Sequence, residues 1–238
     1  MSIRRKADAM KKAQQILNQY VFGGNTMKNF NIIPTDENRF EFRIGVDSTI
    51  EILESDGGCR AEVDVDRPEL FTITSDGDHF CIERADQPRL KDFLGAVMGF
   101  IKNRDVSGLK KFDQDRAFAR IRIFTAAGKM NVKALNSTVL VKKDLRLLRL
   151  KSANLNLSNE GQIQDLDLKA NNAAIELSLG MNASDWRIKA NNSSIRLHTN
   201  GFDGAIRSGV RVMGSSKSAG SGDGLVTILA NNGNVIID

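Results

Sequence analysis

One short phrase recurs through the second half of the chain, from Met130 to Asp238: NVKALNSTVLV, LRLKSANLNL, LDLKANNAAIEL, WRIKANNSSIRL and VTILANNGNVII. Aligning Val132, Leu150, Leu168, Ile188 and Ile228 gives steps of 18, 18, 20 and 40 residues, and the double step conceals a degenerate copy running from Ile206 to Val212. A fixed period near this length is the mark of a stacked-repeat architecture. No unit of such a fold can bury its apolar face alone, so each is covered by its neighbours.

Within one copy, Leu166, Leu168 and Ala170 point one way while Asp167 and Lys169 point the other, which is the period-two alternation of a strand. Asn171-Asn172 interrupts the alternation, and Ile175 and Leu177 resume the inward face. Asn tolerates the left-handed backbone, so these pairs predict corners. Two short strands per repeat, joined at an Asn corner, describe one coil of a β-solenoid. At about 4.8 Å per coil, about six coils make a rod near 30 Å long. Asn136, Asn154, Asn172, Asn192 and Asn232 then stack into a ladder of amides. A leucine-rich repeat fits less well, because the later copies lose the leading Leu-x-x-Leu and put Trp186 and β-branched residues in place of leucine.

The expected organisation is therefore mainly β, with the solenoid repeats over 117–238 and a first β-layer over 25–88. In that layer Phe40/Phe42/Ile44, Ile50/Ile52, Val63/Val65, Phe71/Ile73 and Phe80/Ile82 alternate with polar residues. Asp56-Gly57-Gly58 and Asp76-Gly77-Asp78 are read as turns rather than calcium loops, since no liganding register repeats. Residues 1–24 read as an amphipathic helix, with Ile3, Ala7, Met10, Leu17 and Val21 on one face. Residues 89–116 read as a helical insertion and linker, from the spacing of Leu90, Phe93, Leu94, Val97, Met98 and Ile101.

Charge excludes some partners. The net charge is +5 over 238 residues, but Arg4, Arg5, Lys6, Lys11 and Lys12 against Asp8 place +4 in the first twelve, leaving +1 for the rest. A nearly neutral body with one Trp and one Tyr is not a nucleic-acid platform. The basic helix could pack on the protein's own β-structure or lie on an anionic membrane. Cys59 and Cys81 have neither metal nor redox spacing, and no cofactor is expected. The chain shows no secretory apolar run and no stretch of membrane-spanning length, so a soluble cytoplasmic protein is expected.

The alternating strands of 39–83, followed by IRIFTAAGKMNVKALNSTVLV and coils with Ala/Ser-Asn or Ser-Gly corners, resemble the bacterial and archaeal "putative adhesin" family, a domain of unknown function. The resemblance covers 39–88 and 117–238. It implies a stacked β-solenoid of head-domain type with a binding or scaffolding role, and no catalytic residues to carry over.

Two surfaces are candidates for function. Lys133, Lys151, Lys169, Lys189 and Arg207 fall at one position of successive coils, with Arg149 and Arg187 two residues earlier on the same face and Asp167 as the sole anion among them. Stacked like charges repel. The column is either a docking stripe for an acidic polymer or partner, or a solvated face that discourages edge aggregation. The second candidate is the last coil, carrying Val226, Ile228, Val235, Ile236 and Ile237, read as an open apolar edge that a second copy would cover in a homo-oligomer. Gly209 to Ser218 is a near miss to a phosphate loop, since Lys217 is displaced from the second glycine and no helix follows. His79 and His198 lie far apart without evident partners, and no paired carboxylates recur at one coil. The expected function is a non-catalytic scaffolding or binding module that self-associates and presents a basic face to an acidic partner. An adhesin-like protein binding anionic membrane or cell-surface polysaccharide is the alternative.

Overall fold

The structure, a computed structural model, describes residues 27–32, 39–65, 67–85, 118–209, 212–214, 218–219 and 222–238. The helices expected over 1–24 and 89–116 lie outside the described residues. Among the described residues, fifteen strands join one sheet. In chain order they are β1 (Lys28–Ile32), β2 (Arg39–Glu54), β3 (Cys59–Val65), β4 (Phe71–Asp76), β5 (His79–Arg84), β6 (Phe118–Thr125), β7 (Lys129–Val141), β8 (Leu145–Asn159), β9 (Ile163–Ser178), β10 (Asp185–His198), β11 (Gly204–Ser208), β12 (Val212–Gly214), β13 (Ser218–Ala219), β14 (Gly224–Ala230) and β15 (Gly233–Ile237). No helix among them is long and apolar enough to cross a membrane.

The repeats are β7 to β10, and they pair parallel and in register: Val132 lies on Leu150, Leu150 on Leu168 and Leu168 on Ile188. Each repeat is a single strand with a bend. Ala170 and Ala173 are buried while Asn171 and Asn172 between them both face out. Two successive outward residues shift the alternation by one place, so the inward residues of both arms meet one core. The Asn pairs of β9 and β10 make this corner without the left-handed backbone expected of them, whereas Asn232 in the last copy adopts it. Among described non-glycine residues only Asn232 has a positive φ, of 35°. Extended pairing resumes on either side of the corner, which is why a shared bulge rather than a tight turn suffices.

Leu150, Leu168, Ile188 and Ile228 line the first arm and Leu157, Ile175, Ile195 and Val235 the second, all buried in one cluster. Trp186 is completely buried, and its indole N–H donates to the carbonyls of Ile163 at 3.0 Å and Gln164 at 3.2 Å. A buried indole needs such an acceptor.

Below β7 lies β2, a rung of the same plan that the repeat pattern did not reveal. Phe40 pairs with Met130, Phe42 with Val132 and Ile50 with Val139, with a register shift between Ile44 and Asp47 where the repeats have their corner. The first β-layer and the repeats thus share one sheet. β5 and β6 continue it beneath the two arms of β2, and β3, β1 and β4 add antiparallel strands beyond them. The expected turns occur at both places: Asp76-Gly77-Asp78 closes the β4–β5 hairpin, and Asp56-Gly57-Gly58 carries the chain from β2 over β6 to β3, with Gly58 and Gly77 at φ of 70° and 59°.

At the other end the order of the strands in the sheet departs from the order of the chain. β14 stacks directly on β10, Val226 on Trp186 and Ile228 on Ile188, and β15 stacks on the second arm of β10. The earlier segments β11 and β12 lie outside them, pairing with β14 and β15. β14 and β15 are therefore inserted between β10 on one side and β11 and β12 on the other. This corrects the reading of Val226, Ile228, Val235, Ile236 and Ile237 as an open edge: both of their strands are paired on both sides, and Val226, Ile228, Val235 and Ile237 are buried. Gly204 lies on Gly224, where a Cβ would stand 2.2 Å from the Gly224 carbonyl oxygen, so this close approach requires glycine.

Candidate functional site

Parallel in-register pairing turns one sequence position into one straight column. Arg43, Lys133, Lys151, Lys169, Lys189 and Leu229 form such a column along the outer face of β2, β7, β8, β9, β10 and β14. Neighbouring members stand about 4.8 Å apart along the stack. Two of these cations are neutralised: Arg43 pairs with Glu83 at 3.1 Å, and Lys133 with Glu41. Lys151, Lys169 and Lys189 are exposed and form no ion pair among the described residues. Leu229 ends the column, 49% exposed.

The insertion of the last coil splits the expected cation set. Arg207 does not continue the lysine column. It pairs with Thr227, which pairs with Arg187, so Arg207 belongs to the neighbouring column with Arg187 and Arg149. That second column is largely compensated. Asp167 lies between Arg149 and Arg187, and the guanidinium of Arg187 also holds Asp185 at 2.7 Å. Uncompensated charge is thus concentrated on three consecutive lysines.

These lysines form one wall of an open groove of about 800 Å³. Its floor is made of small residues, among them Ala134, Ala170 and Ala190, and its opposite wall carries Asn171, Asn191 and Asn231. The asparagines form a ladder: Asn231 Nδ2 donates to Asn191 Oδ1 at 3.0 Å, and Asn191 Nδ2 to Asn171 Oδ1 at 3.1 Å. Below Asn171 the column continues as Ala153, which offers no side-chain acceptor. The second, adjacent ladder is the one expected from the repeat. It runs from Asn232 through Asn192, Asn172 and Asn154 to Asn136, which donates to Asp47 at 2.6 Å. A carboxylate can only accept, so Asp47 sets the orientation of every amide above it.

Solved structures similar to the chain include a "putative cell adhesion protein" from Clostridium sporogenes, 12% identical over 89% of this chain and 98% of that one, with a TM-score of 0.42. A "putative adhesin" from Bacteroides fragilis is also 12% identical, over 92% of this chain and all of that one, at a TM-score of 0.42. A "putative lipid binding protein" from Parabacteroides distasonis is 10% identical over 92% and 99%, at 0.30. No protein-family model and no curated protein matches the sequence. The functional reading therefore rests on the geometry of the groove.

Three arrangements escaped sequence reasoning. Lys143 is buried, its ammonium donating to the carbonyls of Thr125 at 2.6 Å and Ala127 at 3.2 Å and pairing with Glu54 at 3.2 Å. Its inward position is legible in the alternation Val141, Lys143, Leu145, which the Lys142-Lys143 doublet obscures. Each histidine also acquires a carboxylate through the stacking: His79 that of Glu41 at 3.9 Å, beside its chain neighbour Asp78 at 3.4 Å, and His198 those of Glu176 at 3.1 Å and Asp238 at 3.7 Å. Among the described residues no group of three or more His, Cys, Asp or Glu could hold a metal ion. Burial pushes the thiols of Cys59 and Cys81 up to about 11, with Glu83 adding to the effect at Cys81, so both are protonated and poorly nucleophilic at neutral pH.

Proposed function

We propose that the chain is a non-catalytic binding module, a β-solenoid whose lysine groove receives an acidic polymer. The observation that carries this reading is the run of Lys151, Lys169 and Lys189 on consecutive rungs, without counter-ions among the described residues, along the wall of a groove. Like charges held in register at strand spacing repel, and a bound polyanion removes that repulsion as it binds. The neighbouring arginine column shows how the fold neutralises a charged column when it does so internally, through Asp167 and Asp185. Among the described residues the lysine column receives no such carboxylates above Lys133. Among the described residues the groove's ionisable lining is lysine alone, a composition that suits binding better than acid–base catalysis.

The test is a titration of the full chain with polygalacturonate, dextran sulfate and polyphosphate at low and high salt. At least one should bind, with affinity falling as salt shortens the screening length from about 30 Å at 0.01 M to about 3 Å at 1 M. The triple variant Lys151→Ala/Lys169→Ala/Lys189→Ala should lose that binding while melting at or above the parent temperature. Binding that survives the triple substitution would place the anion elsewhere and overturn the reading.

A further inference from the structure

Building on the acidic-polymer reading, we infer that the groove is shaped for one class of polymer, a linear polysaccharide of uronic acids lying parallel to the stacking axis. Three features of the groove narrow the choice.

The first is the step. Free ammonium groups recur once per rung, about every 4.8 Å, at Lys151, Lys169 and Lys189. A uronan carries one carboxylate per sugar; in an extended two-fold chain successive sugars turn opposite faces, so same-side carboxylates recur every second sugar, roughly two rungs of about 4.8 Å, and stay in step with alternate lysines. An extended acidic peptide places its same-side charges two residues apart, about 6.6–6.8 Å, and falls out of step with the rungs.

The second feature is the wall opposite the lysines. Within the Asn171–Asn191–Asn231 ladder each shared amide uses one donor hydrogen and one acceptor lone pair on its neighbour. Each amide oxygen has a second lone pair, and the Nδ2 of Asn171 donates to no protein group among the described residues. This wall can accept hydrogen bonds as well as give them. Sugar hydroxyls do both, so a uronan satisfies the lysines with its carboxylates and the amides with its hydroxyls. Polyphosphate only accepts; it would satisfy the ammonium groups and leave the amide oxygens unmatched.

The third feature is the floor. It carries small residues such as Ala170 and Ala190, and no aromatic side chain lines the groove among the described residues. Single-stranded nucleic acid gains its sequence-tolerant affinity by stacking bases on aromatic rings, and this groove provides none.

The experiment compares hexagalacturonate, its methyl ester, hexaglutamate and polyphosphate of matched charge by calorimetric titration against the full chain. Hexagalacturonate should bind at least about tenfold more tightly than each of the others, a difference of about 1.4 kcal/mol. Asn171→Ala/Asn191→Ala should remove the preference over polyphosphate, leave polyphosphate affinity unchanged and keep the preference over the neutral methyl ester, which rests on the lysines. Lys169→Ala/Lys189→Ala should weaken every anion. Equal binding of polyphosphate or hexaglutamate, or an asparagine variant that keeps the preference for uronate over polyphosphate, overturns the uronan assignment and leaves the acidic-polymer groove standing. If no anion binds in a lysine-dependent way, both readings fall. Melting curves of each variant establish that these outward-facing substitutions leave the fold intact.

Discussion

Asp47 orients a column of five amides. Its carboxylate accepts from Asn136, and the same polarity is passed up through Asn154, Asn172, Asn192 and Asn232. Asp47→Ala leaves the Asn136 amide without its acceptor at a half-buried corner. We expect a loss of about 1–3 kcal/mol, read by chemical denaturation, because an orphaned donor forfeits its hydrogen bond without regaining full hydration. Asp47→Asn should cost less, since an amide oxygen can take the carboxylate's place. Equal losses for the two variants would show that charge, rather than hydrogen-bond polarity, matters there. Gly161 is constrained in another way: a Cβ there would stand 2.2 Å from the carbonyl oxygen of Lys143, on the segment that carries the buried ammonium.

Among the strands, β8, β9 and β10 carry the charge repulsion that the proposed ligand relieves. Lys169 has Lys151 on one side and Lys189 on the other, in register. Replacing it with Gln removes two like-charge neighbours. Lys169→Gln should therefore raise stability by about 0.2–1 kcal/mol at low salt. The gain should vanish as salt screens the column. A variant less stable than the parent at low salt would mean that the lysine stem contributes more by packing than its charge takes away. The arginine column makes a useful control, since Asp167 and Asp185 already compensate it and Arg187→Gln should not stabilise.

In the molecule as a whole, the position of the last coil decides what a truncation does. β14 and β15 lie between β10 on one side and β11 and β12 on the other. Deleting residues 224–238 removes an interior layer, strips the cover from Trp186 and Ile188, takes from β12 its partner β15, and leaves β11 only its short antiparallel pairing with β13. The deletion should lower the melting temperature sharply and expose apolar surface to a hydrophobic dye. A truncated chain that melted like the parent would show that β11 and β12 can stack on β10 directly, as the order of the chain suggests. Other parts of the stack were legible from the start. The alternation of Leu166, Asp167, Leu168 and Lys169 gives both the buried face and the lysine column, because in a parallel stack burial and register follow from the same period. The rung formed by β2 was hidden because Gly45-Val46-Asp47 replaces the asparagine corner and its bulge breaks the repeat length.

What the residues determine unaided is local: which side chains alternate inward, where paired outward residues bend a strand, and which positions recur. These depend on neighbours a few residues apart, so Lys133, Lys151, Lys169 and Lys189 could be placed in one column before any fold was known. Strand order is a different matter, because parallel rungs with equivalent apolar faces are nearly interchangeable as partners. Ile206 lies 18 residues beyond Ile188, the same step as between earlier coils, yet Ile228 takes the place beside Ile188. Only the packed molecule discriminates between the two, through contacts such as the Gly204–Gly224 approach and the fit of Val226 over Trp186. That choice moved Arg207 to another column, converted an expected open edge into an interior layer, and left three lysines as the uncompensated charge of the groove.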